Sequence, residues 1–299
     1  MVVGAILHVN GNSTVRFSCR SNLDRSRSQL PAMVKVKAPE SYWASLHADV
    51  EAHLRQAIPM KEPLVVFEPM HHLVFAAPRT AVPALCVAAC EVVGGRRDQA
   101  MAAASALMLM QAATHTHENL PLTDRPKPRP MTDQVYDPNI ELLTGDGIVP
   151  FGFEILAKSG QAGQSNSGAI LRVIIEISRA MGSQGVIDGQ YCKVLGTQSD
   201  GEDSCHEESK KNAIEKNGGR LHACGAACGA MLGGGSEEEI ERLRRYGFYV
   251  GMIQGMLQLV ETKDKGLMEQ VEDLRNLALK ELQAFDSSKI EPISCFINV

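Results

Sequence analysis

Between Phe151 and Glu291 the chain contains no proline, and along that run glycine gathers in short clusters. Proline deletes a backbone donor and breaks helices, so so long a stretch without one is open to helix throughout. The glycine clusters then read as turns between consecutive helices. Strict two-residue alternation of β-branched residues is scarce. The best strand candidate by propensity is the run from Leu171 to Arg179, but its charges Arg172, Glu176 and Arg179 recur at spacings of four and three, which is one face of a helix. Ser236 followed by Glu237, Glu238 and Glu239 is a helix start: a hydroxyl cap, a glutamate three residues on, and acids against the positive end of the dipole. The expected fold class is therefore all-α. Residues 121–130, rich in proline, are expected as an exposed loop. Residues 199–211, with Asp200, Glu202, Asp203, Glu207 and Glu208, are expected as an acidic surface loop.

The chain has 299 residues, 44% hydrophobic and 22% charged, which suits a soluble globular protein of one large or two small domains. No apolar run approaches the roughly 18 residues that span a bilayer, so an integral membrane protein is not expected. The net charge of −5 gives no electrostatic reason to expect a nucleic-acid partner. The first 39 residues stand apart. They hold Arg16, Arg20, Arg25, Arg27, Lys35 and Lys37 against the single acid Asp24, so this segment carries +5 and the remainder −10. A start rich in Ser and Arg and poor in acids reads as an organelle transit peptide, the alternative being a plain disordered N-terminus. The fold is expected in residues 40–299, as one domain.

Eight cysteines are present. Cys86 and Cys90 are four apart, as are Cys224 and Cys228, so on helices each pair shares a face. The second pair lies in a run of small residues that includes Gly225 and Gly229, smooth enough for another backbone to come close. Spacing alone favours helix packing inside the chain, with cysteine as a small buried hydrophobe. A structural zinc site with His115, His117 or His222 fits less well, because zinc knuckles use two-residue spacing in loops. Thiol redox chemistry is the remaining option. Gly-rich helices have poor intrinsic propensity, so this one is expected to depend on packing.

Four separated blocks carry a family resemblance: Cys86 to Gly95; the Ala- and Met-rich run 100–113; Glu141 to Gly147 with Phe151 to Ala157; and Gly233 to Arg244. Over about residues 40–286 the chain resembles plant trans-prenyl diphosphate synthases of the geranylgeranyl type, and most of all the non-catalytic small subunits of heteromeric geranyl diphosphate synthases. The resemblance implies the all-α isoprenoid synthase bundle. It also implies two Asp-rich helix ends that hold magnesium against an allylic diphosphate. Magnesium demands oxygen ligands and stabilises the charge that develops on the leaving group. At the first of those positions this chain has Glu118 and Asn119, followed by a shortened Pro-rich segment. At the second it has Gln258, Leu259 and Thr262. Of the basic run that holds isopentenyl diphosphate in the family, only Arg79 keeps its charge, and an expected lysine is Asn217.

Losses at three separate binding elements imply a chain that folds like the enzyme and is inactive alone, with no catalytic residue, cofactor or metal of its own. By the same resemblance the partner is a geranylgeranyl diphosphate synthase large subunit, in a heterodimer or heterotetramer. That partner holds the magnesium, and the location is the plastid stroma. The product would shift to geranyl diphosphate, the alternative being a small subunit that raises geranylgeranyl output or recruits the synthase to thylakoids. Cys86, Cys90, Cys224, Gly225, Cys228 and Gly229 match family positions implicated in association of the subunits. Arg79, Glu118, Asn119, Asn217, Gln258, Leu259 and Thr262 are the degenerate metal and substrate positions.

Overall fold

A computed structural model describes residues 39–120, 135–160, 167–198, 212–258 and 265–298. These fall within one contact unit, Lys37–Val299. The described elements are helical: α1 (Pro39–Ala57), α2 (Leu64–Ala76), α3 (Ala81–Val92), α4 (Arg97–Glu118), α5 (Pro138–Ser159), α6 (Ser167–Met181) and α7 (Val186–Gln198). A π-helical turn, Ile214–Gly219, runs into α8 (Arg220–Leu232), followed by α9 (Glu237–Gln258), α10 (Lys265–Leu282), α11 (Ser287–Ser294) and a closing 3-10 turn, Cys295–Asn298. No strand occurs among the described residues. The all-α expectation holds, and the ambiguous run 171–179 lies inside α6. The expected Pro-rich and acidic loops, the N-terminal 38 residues, Leu259 and Thr262 lie outside the described residues.

Helix starts follow local chemistry. Asp137 caps α5 by accepting from the Asn139 backbone N–H at 2.9 Å, with Pro138 in the first turn where its missing donor costs nothing. At α9 the expected capping box forms: the Ser236 N–H donates to Glu239 Oε2 at 2.7 Å, and the Glu239 N–H donates to Ser236 Oγ at 3.3 Å. The turns after α3 and α8 hold Gly94 and Gly234 at φ of +93° and +81°, a region that favours glycine.

Three prolines sit inside helices, Pro69 in α2, Pro150 in α5 and Pro292 in α11. Each deprives the carbonyl four residues earlier of its partner. Those carbonyls belong to Val65, Asp146 and Ser288, all exposed residues.

The centre of the core is α8, buried at every residue from Leu221 to Leu232, with α3 packed along it, buried at every position but Glu91. A helix apolar or small on all sides has to lie inside a protein. Around this pair stand α4, α6 and α9. The C-terminus closes one end of the bundle: Phe296 is buried against the Trp43 ring at 5.0 Å between centroids, and Tyr246 Oη donates to the Ile293 carbonyl at 2.6 Å. No single described helix is long and apolar enough to cross a membrane; α2 and α3 reach the length only together, across a 77° bend, and α3 is core.

Candidate functional site

The two cysteine motifs meet each other. Cys86 and Cys90 lie on α3, Cys224 and Cys228 on α8, and all four are buried. Gly229 is what lets the helices approach: a Cβ there would lie 1.9 Å from the Cys86 carbonyl oxygen and 3.1 Å from the Cys90 backbone nitrogen. At Gly225 a Cβ would lie 3.0 Å from the Val82 carbonyl oxygen. All six residues thus sit at a helix contact inside the chain, covered from solvent by it. The Cys224 and Cys228 sulfurs are 3.9 Å apart, and Cys90 Sγ donates to the Arg96 carbonyl at 3.4 Å. Burial pushes the Cys86 and Cys228 thiols well up, each raised further by neighbouring cysteines, and holds Cys90 up at about 12. Thiols held neutral in an apolar core are inert as nucleophiles and metal ligands. Among the described residues no three His, Cys, Asp or Glu side chains gather where they could hold a metal ion.

Three of the degenerate positions, Glu118, Asn119 and Asn217, lie beside α7, at a different place. Glu118 ends α4 and Asn119 caps it, with Asn119 Nδ2 donating to the His115 carbonyl at 2.7 Å. Across from them α7 offers Gln190, whose amide donates to the Glu118 carboxylate. Two residues earlier, Asp188 pairs with Lys216 of the π turn at 2.6 Å. Between these contacts Gly189 lies against Asn217: a Cβ on Gly189 would be 2.2 Å from Asn217 Oδ1, and both amide atoms of Asn217 are buried without a hydrogen-bond partner in the chain. Helix α7 is therefore tied to both walls, α4 and the π turn. Among the described residues the donor set does not fit magnesium. Asn119 presents a neutral amide already spent on its own helix, Glu118 is engaged by Gln190, and Gln258 is an exposed amide at the last position of α9.

The basic position fares no better. Arg79 is two-thirds exposed and pairs with Glu51 at 2.9 Å. Beside it lies a cavity of about 10 Å³, lined by His47, Arg79, Thr80 and Gln111 among others, with Thr80 Oγ1 donating to Gln111. That is room for about one water, far short of a diphosphate. Burial, and then the Arg79 charge, pull the His47 pKa down, so the ring there is neutral.

Sequence reasoning missed Gln190, Asp188 and Lys216. No spacing rule joins α4, α7 and a π turn, because their pairing depends on how the helices are stacked. The π turn itself spans Glu215, Lys216 and Asn217, and only the glycines at 218 and 219 hint at irregular backbone. Asp146, in the matched block 144–147, is exposed and reaches His117 at 3.4 Å. His71 stacks on Phe75 and His72 on Tyr136, ordinary packing for both.

No protein-family model matches the chain. Individual proteins do. Over 264 residues, 86% of this chain and 90% of the relative, it is 49% identical to the chloroplastic small subunit 2 of the heterodimeric geranylgeranyl pyrophosphate synthase of Cannabis sativa. It is 29% identical, over 83% of its length and 75% of the relative's, to large subunit 1 of the corresponding Arabidopsis thaliana synthase. Among solved structures, the geranyl diphosphate synthase small subunit of Antirrhinum majus is 48% identical and superposes with a TM-score of 0.79 over 88% of this chain and 100% of that one. A mint heterotetrameric geranyl pyrophosphate synthase, solved as a deletion mutant with ligands, is 44% identical with a TM-score of 0.74, over 87% of this chain and 99% of that one. With half its residues shared over nearly the whole of such relatives, the chain belongs to the small subunits of plant heteromeric prenyl diphosphate synthases.

Proposed function

We propose that this subunit is inactive alone and acts by binding a catalytic geranylgeranyl diphosphate synthase large subunit, in a heterodimer or heterotetramer of the plastid stroma, and shifting its product to ten-carbon geranyl diphosphate. The observation that carries the reading is a set of contacts at α7, with the Gln190 amide bonded to Glu118, Lys216 paired with Asp188 and Asn217 pressed against Gly189, at positions to which the family resemblance assigns magnesium and diphosphate. Magnesium, both substrates and all bond-making then belong to the large subunit. A subunit without a working site changes product length only by favouring one state of its partner, in proportion to its differential affinity for that state. Cys86, Cys90, Cys224, Cys228, Gly225 and Gly229 serve association by fixing the spacing of the α3–α8 core on which the outer helices stand. The names of the relatives and the "chloroplastic" label support the partner and the plastid.

A second reading has an observation of its own: the Cannabis relative is named for a geranylgeranyl synthase, at an identity equal within a per cent to that of the geranyl-type snapdragon protein. Product analysis separates them. The full chain is co-expressed with a plant plastid large subunit and given isopentenyl and dimethylallyl diphosphates with magnesium. A shift from twenty-carbon to ten-carbon product is expected. More twenty-carbon product with no ten-carbon product would replace the geranyl reading by the second one.

A further inference from the structure

His47 stands on the inward side of α1, 3% exposed, and neither of its ring nitrogens has a hydrogen-bond partner in the chain. A neutral imidazole carries one donor and one acceptor, and burying either of them unpaired costs free energy. The large majority of buried polar side chains are paired, with a protein group or with ordered water. Other polar rings of α1 follow that rule: His53 Nδ1 lies 2.8 Å from Ser105 Oγ, and Tyr42 Oη donates to Glu91 Oε2 at 2.6 Å. The Thr80 backbone lies near the His47 ring and favours its charged form, but meets hydrogen-bond geometry with neither nitrogen. The Trp43 ring, tilted 52° with its centroid 4.6 Å away, fixes the plane of the imidazole without offering it a lone pair.

His47 lines the cavity of about 10 Å³ beside Arg79. The other walls come from Val74 of α2, Arg79 and Thr80 of the link to α3, and Met108 and Gln111 of α4. That volume admits about one water. The polar part of the wall suits one. The Thr80 hydroxyl proton is spent on Gln111, which leaves lone pairs on Thr80 Oγ1 to accept. Arg79 commits Nη2 to Glu51 at 2.9 Å, and a guanidinium has further N–H groups. A water that donates to Thr80 Oγ1 and to the unprotonated nitrogen of His47 has two partners, which is enough to hold it in a buried site.

We propose that this cavity is a binding site for one ordered water, bonded to His47 and Thr80, which joins α1, the α2–α3 link and α4. The size of the cavity and the orphaned ring are separate observations, and both ask for the same ligand. The site stands whichever product the assembled synthase makes. An ammonium ion, of similar size, is the competing occupant; it has donors only, so it could bond a bare ring nitrogen and the Thr80 oxygen but accept from nothing.

The test is a crystal structure of the full chain, grown without ammonium salts and at a resolution that shows single waters. One density peak is expected in the cavity, within hydrogen-bond distance of a His47 nitrogen and of Thr80 Oγ1. His47→Phe keeps a ring of similar shape and removes both nitrogens, so its crystal structure is expected to lose that peak. Should this variant fail to fold, the unaltered chain decides by itself. A cavity without density, or a His47 ring with both nitrogens paired to protein groups, would overturn the proposal. So would a peak that persists unchanged in His47→Phe, because His47 would then not be what holds it. Density that appears only when ammonium is added would assign the site to that cation and reject the water.

Discussion

Gly229 decides how near the two central helices come. A methyl group there would sit 1.9 Å from the Cys86 carbonyl oxygen, and backbone, unlike a flexible side-chain end, cannot yield to it. Gly229→Ala is therefore expected to force α3 and α8 apart and cost about 1–3 kcal/mol or more, the range for overpacked cores. Urea denaturation measures it; a midpoint equal to that of the unaltered chain would contradict the packing. The cysteine spacing was readable as one helical face per motif, and that is how the pairs lie. What spacing did not give is the neighbour each face meets. A four-residue interval fixes direction around a helix and says nothing of which helix stands opposite. Hence the positions expected at a subunit contact lie against one another inside the chain, with the Cys86, Cys90 and Cys228 thiols raised by burial.

At the scale of elements, the π turn is the irregular piece, and His222 holds it. The ring lies at the start of α8, its Nδ1 donating to the Gly218 carbonyl at 2.8 Å and its Nε2 3.0 Å from the side-chain amide of Gln254 on α9, from which a neutral ring accepts. Burial is the main cause that pulls the His222 pKa down, as it does for His47 and His53. The folded chain thus keeps these rings neutral, while the unfolded chain protonates them near pH 6.5. With the folded pKa depressed, stability is complete above that value and is lost as pH falls through it. Each such histidine contributes up to about 1.4 kcal/mol per pH unit. Denaturant midpoints at pH 7.5 and 5.5 are expected to fall with acid, and to fall less in His222→Gln. A midpoint that held or rose on acidification would contradict neutral burial. Residue type gave α6, α9 and the capping box at Ser236 in advance, because caps and charge spacing are local. It did not give the π turn, where Gly218 and Ile214 pack against Gly251 and Gly255 of α9, His222 bonds the Gly218 carbonyl and Lys216 pairs with Asp188 of α7.

At the scale of the molecule, the proline-free run and its glycine turns were enough to read an all-α bundle, since helices need only local hydrogen bonds and an inward stripe. The three helical prolines were harder to foresee: each frees the carbonyl of a residue at the exposed surface. The loss of ligands at Asn119, Gln258 and Asn217 was visible residue by residue. The contacts at α7 were not, because Gln190 and Asp188 are unremarkable polar residues until α7 is laid beside α4 and the π turn. On the proposed reading, those contacts belong to a synthase scaffold that has no working site of its own. The most direct test is turnover by the purified full chain alone, given magnesium, isopentenyl diphosphate and dimethylallyl diphosphate. The proposed reading predicts no prenyl diphosphate above the protein-free blank at any magnesium concentration. Magnesium-dependent product that scales with the amount of this chain would contradict it.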